Sequence, residues 1–170
     1  KIPINLQTFC DVPMGSGLGA SSTLVVAMIT AFQKYFGLDF DEYKIADLAF
    51  KIERIYCKLL GGKQDQYAAA FGGINFMEFY KNNNVIINPL RIKDWIQYEL
   101  EACLVLCFSG TSRISSEIVA EQISSVEKHN DQKIKSLHKI KEGALMMKEA
   151  LLKGNFDAIV ESMKSGWESK

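Results

Sequence analysis

A chain of 170 residues that is 48% apolar can bury a core, and its 20 basic and 20 acidic side chains cancel. That composition is far from disordered and gives no overall electrostatic bias toward nucleic acid or an anionic membrane. No apolar stretch reaches the roughly 18 residues that span a bilayer, and the opening Lys-Ile-Pro-Ile-Asn lacks the apolar region of a secretory signal.

The length suits one domain, or a domain plus part of another. The four cysteines, Cys10, Cys57, Cys103 and Cys107, have no disulfide or metal-site spacing. They are expected to be buried free thiols, which suits a reducing cytoplasm. The chain begins with Lys1, and its first residues already alternate like a strand, so a piece of a longer protein is expected.

Ile2, Ile4 and Leu6 alternate with Pro3, Asn5 and Gln7, the period of a half-buried strand. A glycine-rich loop follows over 11–19. The apolar run after it predicts a buried helix over about 21–36, stopped by Gly37. Asp39 or Asp41 can cap a second helix over about 41–60, ended by Gly61 and Gly62. Three alanines favour a short helix over about 64–71, stopped by Gly72. Residues 74–79 and 85–89 read as strands of a hairpin whose turn is Lys81-Asn82-Asn83-Asn84. The apolar run 102–108 predicts a central strand. Helices are expected over about 115–127, 132–152 and 156–167, with Gly154 between the last two. Strands and short helices run to about residue 108 and helix alone follows; a soft domain boundary is placed near residue 100.

The stretch 13–23, Pro-Met-Gly-Ser-Gly-Leu-Gly-Ala-Ser-Ser-Thr, carries the first chemical signal. Gly15, Gly17 and Gly19 let a backbone wrap closely round a ligand. A helix start behind such a loop aims unpaired N–H groups and the positive end of its dipole at an anion, most often phosphate. An ordinary turn before a helix is the plainer alternative. The spacing is neither a Walker A loop nor the dinucleotide fingerprint. Ser21 and Ser22 could reach a metal ion held on phosphates, or merely cap the helix. Asp65 could accept a proton from an attacking hydroxyl, or serve as a helix cap. Glu53 offers a carboxylate to magnesium, a hard ion that prefers oxygen, or faces solvent. Lys63 and Arg113 could meet substrate phosphate, or be solvated.

Together these residues resemble the GHMP kinase superfamily. Pro13 to Ser22 is similar to its second motif, with Ala20 where a serine is usual. The resemblance implies that Pro13, Gly15, Ser16, Gly17, Leu18, Gly19, Ala20, Ser21 and Ser22 bind nucleotide. It implies that Ser21 and Glu53 hold Mg2+, that Asp65 is the catalytic carboxylate, and that Lys63, Gln64 and Arg113 bind substrate. Gly-Gly-Lys-Gln-Asp-Gln-Tyr-Ala-Ala-Ala-Phe-Gly-Gly with Asn75-Phe76 looks most like the heptose 7-phosphate kinases.

The implied fold is α+β: residues 1–100 belong to an ATP-binding domain with a mixed sheet and helices, and 101–170 to the largely helical start of a second α+β domain. The implied activity is a cytoplasmic, ATP- and magnesium-dependent sugar kinase acting on the anomeric hydroxyl of a heptose 7-phosphate, for nucleotide-heptose synthesis. Another GHMP sugar kinase, or an inactive nucleotide-binding fragment, remains the alternative. The family's first and third motifs are expected outside the chain, so residues 1–170 alone are expected to lack turnover. ATP and a phosphorylated sugar are the expected partners, with no nucleic acid and no membrane. A homodimer stays open as a way to cover apolar faces.

Overall fold

The computed structural model describes residues 3–12, 15–108, 110, 124 and 131–169. The chain divides into two compact units, 1–73 with 108–120 and 74–107 with 121–170.

The first unit is helical among its described residues. Helix α1, Ala20–Phe36, ends at Gly37, whose left-handed φ of 64° lets the backbone turn away. Apolar residues nearly encircle this helix in sequence, yet only one face is buried, at Ser22, Val26 and Ile29, while Tyr35 and Phe36 stay exposed. Helix α2, Glu42–Phe50, is capped by Asp41, whose side chain accepts from the Lys44 N–H at 2.7 Å. It runs directly into a π-helical turn, Lys51–Tyr56. The expected helix over 41–60 therefore loses α-helical winding at Lys51, and residues 57–63 form an irregular link. Helix α3, Gln64–Phe71, completes the unit and stops at Gly72 as expected. Val26, Ile29, Ile45 and Ala49 form the core, with Val25, Phe40, Leu48, Ile52, Ala69 and Ala70 packed on it. Burying such side chains is worth roughly 1.5–3 kcal/mol each for Val or Ile, so this core fixes how α1, α2 and α3 meet.

Residues 3–10 take no strand pairing, and all are exposed, in contrast to the expected N-terminal strand. A strand needs a neighbour for its N–H and C=O groups, and none is present among the described residues.

In the second unit, β1 (Asn75–Phe79) and β2 (Val85–Pro89) pair antiparallel, with Asn75 opposite Pro89 and Phe79 opposite Val85. Asn83 takes φ 58° in the turn, as asparagine tolerates. Val85 and Ile87 are buried and Ile86 is exposed, the alternation of a one-faced sheet. Helix α4 is Asp94–Cys103, where no helix is expected from the sequence. The predicted central strand over 102–108 is thus partly helix, and its remainder, 104–108, is exposed and unpaired. Among the described residues its apolar run has no flanking strands to make it central. Helices α5, Asp131–Lys153, and α6, Phe156–Glu168, match expectation, separated by Gly154 at φ 67°. Ser162 Oγ donates to the Gly143 carbonyl at 3.0 Å and ties them together. The predicted helix over 115–127 lies outside the described residues, residue 124 excepted.

The cysteines are free, as expected, but all four are exposed rather than buried. Three of them, Cys10, Cys103 and Cys107, lie on or beside the two segments expected as strands that find no sheet. No described helix is long and apolar enough to cross a membrane.

Candidate active site

The site is built where α1 begins. Gly15, Gly17 and Gly19 have φ of 76°, 80° and 71°, all left-handed, which side chains disfavour. Gly19 is the N-cap of α1, with no side-chain cap bond. Capping therefore does not engage Ser21 or Ser22. Both hydroxyls turn to one carboxylate instead: Ser21 Oγ donates to Glu53 Oε1 at 2.8 Å, and Ser22 Oγ to Glu53 Oε2 at 2.7 Å. The Ser16 hydroxyl, within the loop, is buried with no hydrogen-bond partner among the described residues. An orphaned buried donor is costly and calls for an occupant.

Glu53 is 2% exposed, and so does not face solvent. Burial pushes its carboxyl up. The bonds from Ser22, Gln66 and Ser21, with the Arg54 charge, outweigh that and hold it below the ordinary glutamate value. It is therefore a buried carboxylate that stays ionised. The π-helical turn sets its position: the Cys57 N–H reaches back to the Ile52 carbonyl at 2.9 Å, one residue further than in an α-helix. Arg54, the next residue, donates through Nε to the Gly62 carbonyl at 3.2 Å and through Nη1 to the Leu60 carbonyl at 3.3 Å. A Cβ at Gly61 would lie 2.6 Å from the Arg54 guanidinium carbon, and its φ of 152° already disfavours a side chain. Arg54 thereby braces the link that leads into α3.

Asp65 lies in the first turn of α3, whose N-cap is Lys63. Asp65 is therefore not the helix cap. Its carboxylate is exposed, and a Cβ added at Gly19 would sit 3.9 Å from its side chain. The start of α1 and the start of α3 thus face each other. Lys63 holds its ammonium over the Phe50 ring, 4.9 Å from the centroid. Gln64 is exposed beside Asp65, and Leu18 is exposed on the loop. Pro13 and Arg113 lie outside the described residues.

One residue of this cluster has no role in the sequence reading. Gln66 is completely buried, and its Nε2 donates to both Glu53 Oε2 and Ser22 Oγ, the latter at 3.1 Å. The available signal is a polar residue on the helical face shared with Ala69 and Ala70, where a polar group must find a buried partner.

Among the described residues no group of three or more His, Cys, Asp or Glu side chains gathers to cage a metal. The pair of Ser21 Oγ and Glu53 Oε1 nevertheless fits magnesium. Both are hard oxygen donors, and their 2.8 Å separation is close to the edge of about 2.9 Å between adjacent ligands of an octahedron with 2.0–2.1 Å bonds. Magnesium takes one or two protein oxygens of this kind and completes its shell with substrate phosphates and water.

Residues 2–73 match the family model described as the GHMP kinases N terminal domain. They are a GHMP kinase N-terminal domain. The matched range coincides with the main stretch of the first unit. A D-glycero-alpha-D-manno-heptose 7-phosphate kinase of Campylobacter jejuni is 47% identical over 99% of this chain and 49% of its own length. The crystal structure of a D-glycero-D-manno-heptose 1-phosphate kinase from Bacteroides thetaiotaomicron superposes with a TM-score of 0.76 at 43% identity, over 94% of this chain and 45% of that one. An L-fucokinase/L-fucose-1-P guanylyltransferase of Bacteroides fragilis is 27% identical over 97% of this chain and 18% of its own length. The chain thus spans about half the length of the heptose kinases it matches, and a smaller share of the bifunctional fucokinase.

Proposed function

We propose that the protein transfers the γ-phosphoryl group of ATP to the anomeric hydroxyl of a heptose 7-phosphate, supplying nucleotide-heptose synthesis. The observation that carries this reading is the convergence of Ser21, Ser22 and Gln66 on Glu53 with Asp65 beside Gly19. The 47% identity to a heptose 7-phosphate kinase supports this substrate class. Among the hydroxyls that a heptose 7-phosphate keeps free, the anomeric one is assigned as the acceptor.

In this reading the loop from Gly15 to Gly19 cradles the triphosphate, with the first N–H groups of α1 and the Ser16 hydroxyl as donors. Ser21 and Glu53 would hold Mg2+, which when bound offsets phosphate charge and orients the transferring group. Asp65 orients the anomeric hydroxyl and takes its proton as that oxygen bonds to the γ-phosphorus. The bond from the γ-phosphorus to the bridging oxygen breaks, and ADP leaves with that electron pair. The reaction needs little covalent chemistry from the protein, so positioning and charge do most of the catalysis. Lys63 and Gln64, just before Asp65, are assigned to the substrate phosphate, and Arg113 is assigned with them.

The similarity to a fucokinase favours a second reading, a GHMP kinase for another sugar. A transfer assay on the full-length protein separates the two. It offers ATP with heptose 7-phosphate, free heptose, fucose, galactose or no sugar. Phosphorylation of heptose 7-phosphate at the anomeric carbon is expected. A faster reaction with fucose or galactose would give the second reading, and ATP binding without transfer to any sugar would remove both.

A further inference from the structure

The two oxygens of Glu53 are not equivalent. Oε2 receives Ser22 Oγ and Gln66 Nε2, both from fully buried side chains. Among the described residues Oε1 receives only Ser21 Oγ, from an exposed residue at the start of α1. Gln66 also donates to Ser22 Oγ, so the three groups close a triangle on the inner side of the carboxylate. A carboxylate held this way cannot rotate freely, and one oxygen is committed to the protein.

We infer that Ser22 and Gln66 are positioning residues: they clamp Glu53 Oε2 so that Oε1 alone, beside Ser21 Oγ, faces the metal. The inference rests on the proposed Mg2+ site and adds to it a reason for monodentate binding. Two charge-assisted bonds to one oxygen are each about twice as strong as neutral ones, so the clamp fixes the plane of the carboxylate. Monodentate ligation suits Mg2+, which demands near-ideal octahedral geometry, whereas Ca2+ accepts a carboxylate through one oxygen or two. The clamp therefore selects the smaller ion. Gln66 follows Asp65 directly, so the same turn of α3 carries both the clamp and the proposed proton acceptor.

The test measures nucleotide binding rather than turnover. Full-length protein is titrated with the non-hydrolysable imido analogue of ATP over a range of Mg2+, then of Ca2+, by calorimetry. Gln66→Met keeps the length and removes the donor, and Ser22→Ala removes one hydroxyl. Urea denaturation establishes which variants fold, and Ser22→Ala carries the test if Gln66→Met does not. Glu53→Gln is the control for the metal site itself. Altered outer partners of a metal ligand typically cost 10–100-fold in affinity. The expected result is a rise of about that size in the Mg2+ needed for half-maximal binding. The rise in Ca2+ should be smaller, and Gln66→Met should keep the metal-free affinity. If Glu53→Gln leaves the Mg2+ dependence unchanged, the metal reading fails. If Glu53→Gln raises it but the folded clamp variants do not, or if they weaken Mg2+ and Ca2+ equally, the clamp is overturned and the metal site stands.

Discussion

Ser22 and Glu53, 31 positions apart in the chain, meet in a buried hydrogen bond of 2.7 Å. That contact joins the first turn of α1 to the π-helical turn that follows α2. It makes an ionised carboxylate part of the interior, which ties the stability of the first unit to the state of one titratable group.

The Glu53 carboxyl is held below its ordinary 4.5, because the bonds from Ser22, Gln66 and Ser21 outweigh burial. As pH falls, the unfolded chain takes up this proton first. The stabilisation is thus complete above the unfolded value and is lost as pH drops through the folded one. Urea unfolding of the protein should show a falling midpoint on acidification below about pH 5. Glu53→Gln should lower the midpoint at pH 7 and flatten this acid slope. An unaltered slope in the variant would assign the acid sensitivity to other carboxylates.

Gly17 sits in the loop at φ 80°, and a Cβ there would meet nothing within 4 Å. Gly17→Val therefore strains the backbone without a clash, at a cost of order 1–3 kcal/mol. Relief by local rearrangement would misalign the loop N–H groups. The expected outcome is a folded full-length protein that no longer binds ATP, checked by circular dichroism and calorimetry. Retained affinity would remove the loop from the nucleotide site.

Asp65→Asn separates catalysis from helix stabilisation. Asp65 sits in the first turn of α3, where a negative charge near the helix start is worth about 0.3–1 kcal/mol. A proton acceptor is worth about 10²–10⁴-fold in rate. The full-length variant should lose kcat by roughly that factor with KM for ATP nearly unchanged. A variant that only melts slightly lower and turns over normally would leave Asp65 as a dipole partner.

Gly154 offers a test confined to the second unit. It has φ 67°, and a Cβ there would lie 2.5 Å from the Trp95 ring. Gly154→Ala combines left-handed strain with overpacking, and a loss of roughly 2–4 kcal/mol is expected from the two together. The measurement is the urea midpoint of this variant against Gly166→Ala, at a glycine whose added Cβ meets nothing within 4 Å. Equal midpoints would mean that Trp95 moves aside at little cost.

Local punctuation made much of the fold readable. Gly37, Gly72 and Gly154 stop helices where a left-handed residue is needed, and Asn83 turns the hairpin. The run 102–108 was misleading because a strand is defined by its neighbours, which the run itself does not contain. Helix α4 was hidden for a related reason: its mostly exposed residues bury only Ile96, so no apolar stripe announces it. At the site, glycine spacing and the residues Ser21, Ser22, Glu53 and Asp65 could be picked out, because their chemistry is local. Gln66 has no role in that reading, because its burial against Ser22 and Glu53 emerges only from the way α3 packs. The reading of the cysteines as buried failed because apolar neighbours in sequence do not by themselves supply a cover in space.

The π-helical turn over Lys51–Tyr56 makes the length of that segment part of its meaning. A π turn carries one residue more than an α turn, and each residue of an α-helix advances the winding by about 100°. Deleting one residue between Arg54 and Cys57 would let ordinary winding resume. The residues beyond it would keep much of their direction, because five residues of a π turn sweep nearly the angle of four in an α turn, but the link before Lys63 would have to make up the missing residue. Arg54 and Gly61 brace that link against doing so. Insertions and deletions in this stretch should therefore be rarer among functional relatives than substitutions, because what is preserved is a count of residues between two carboxylates.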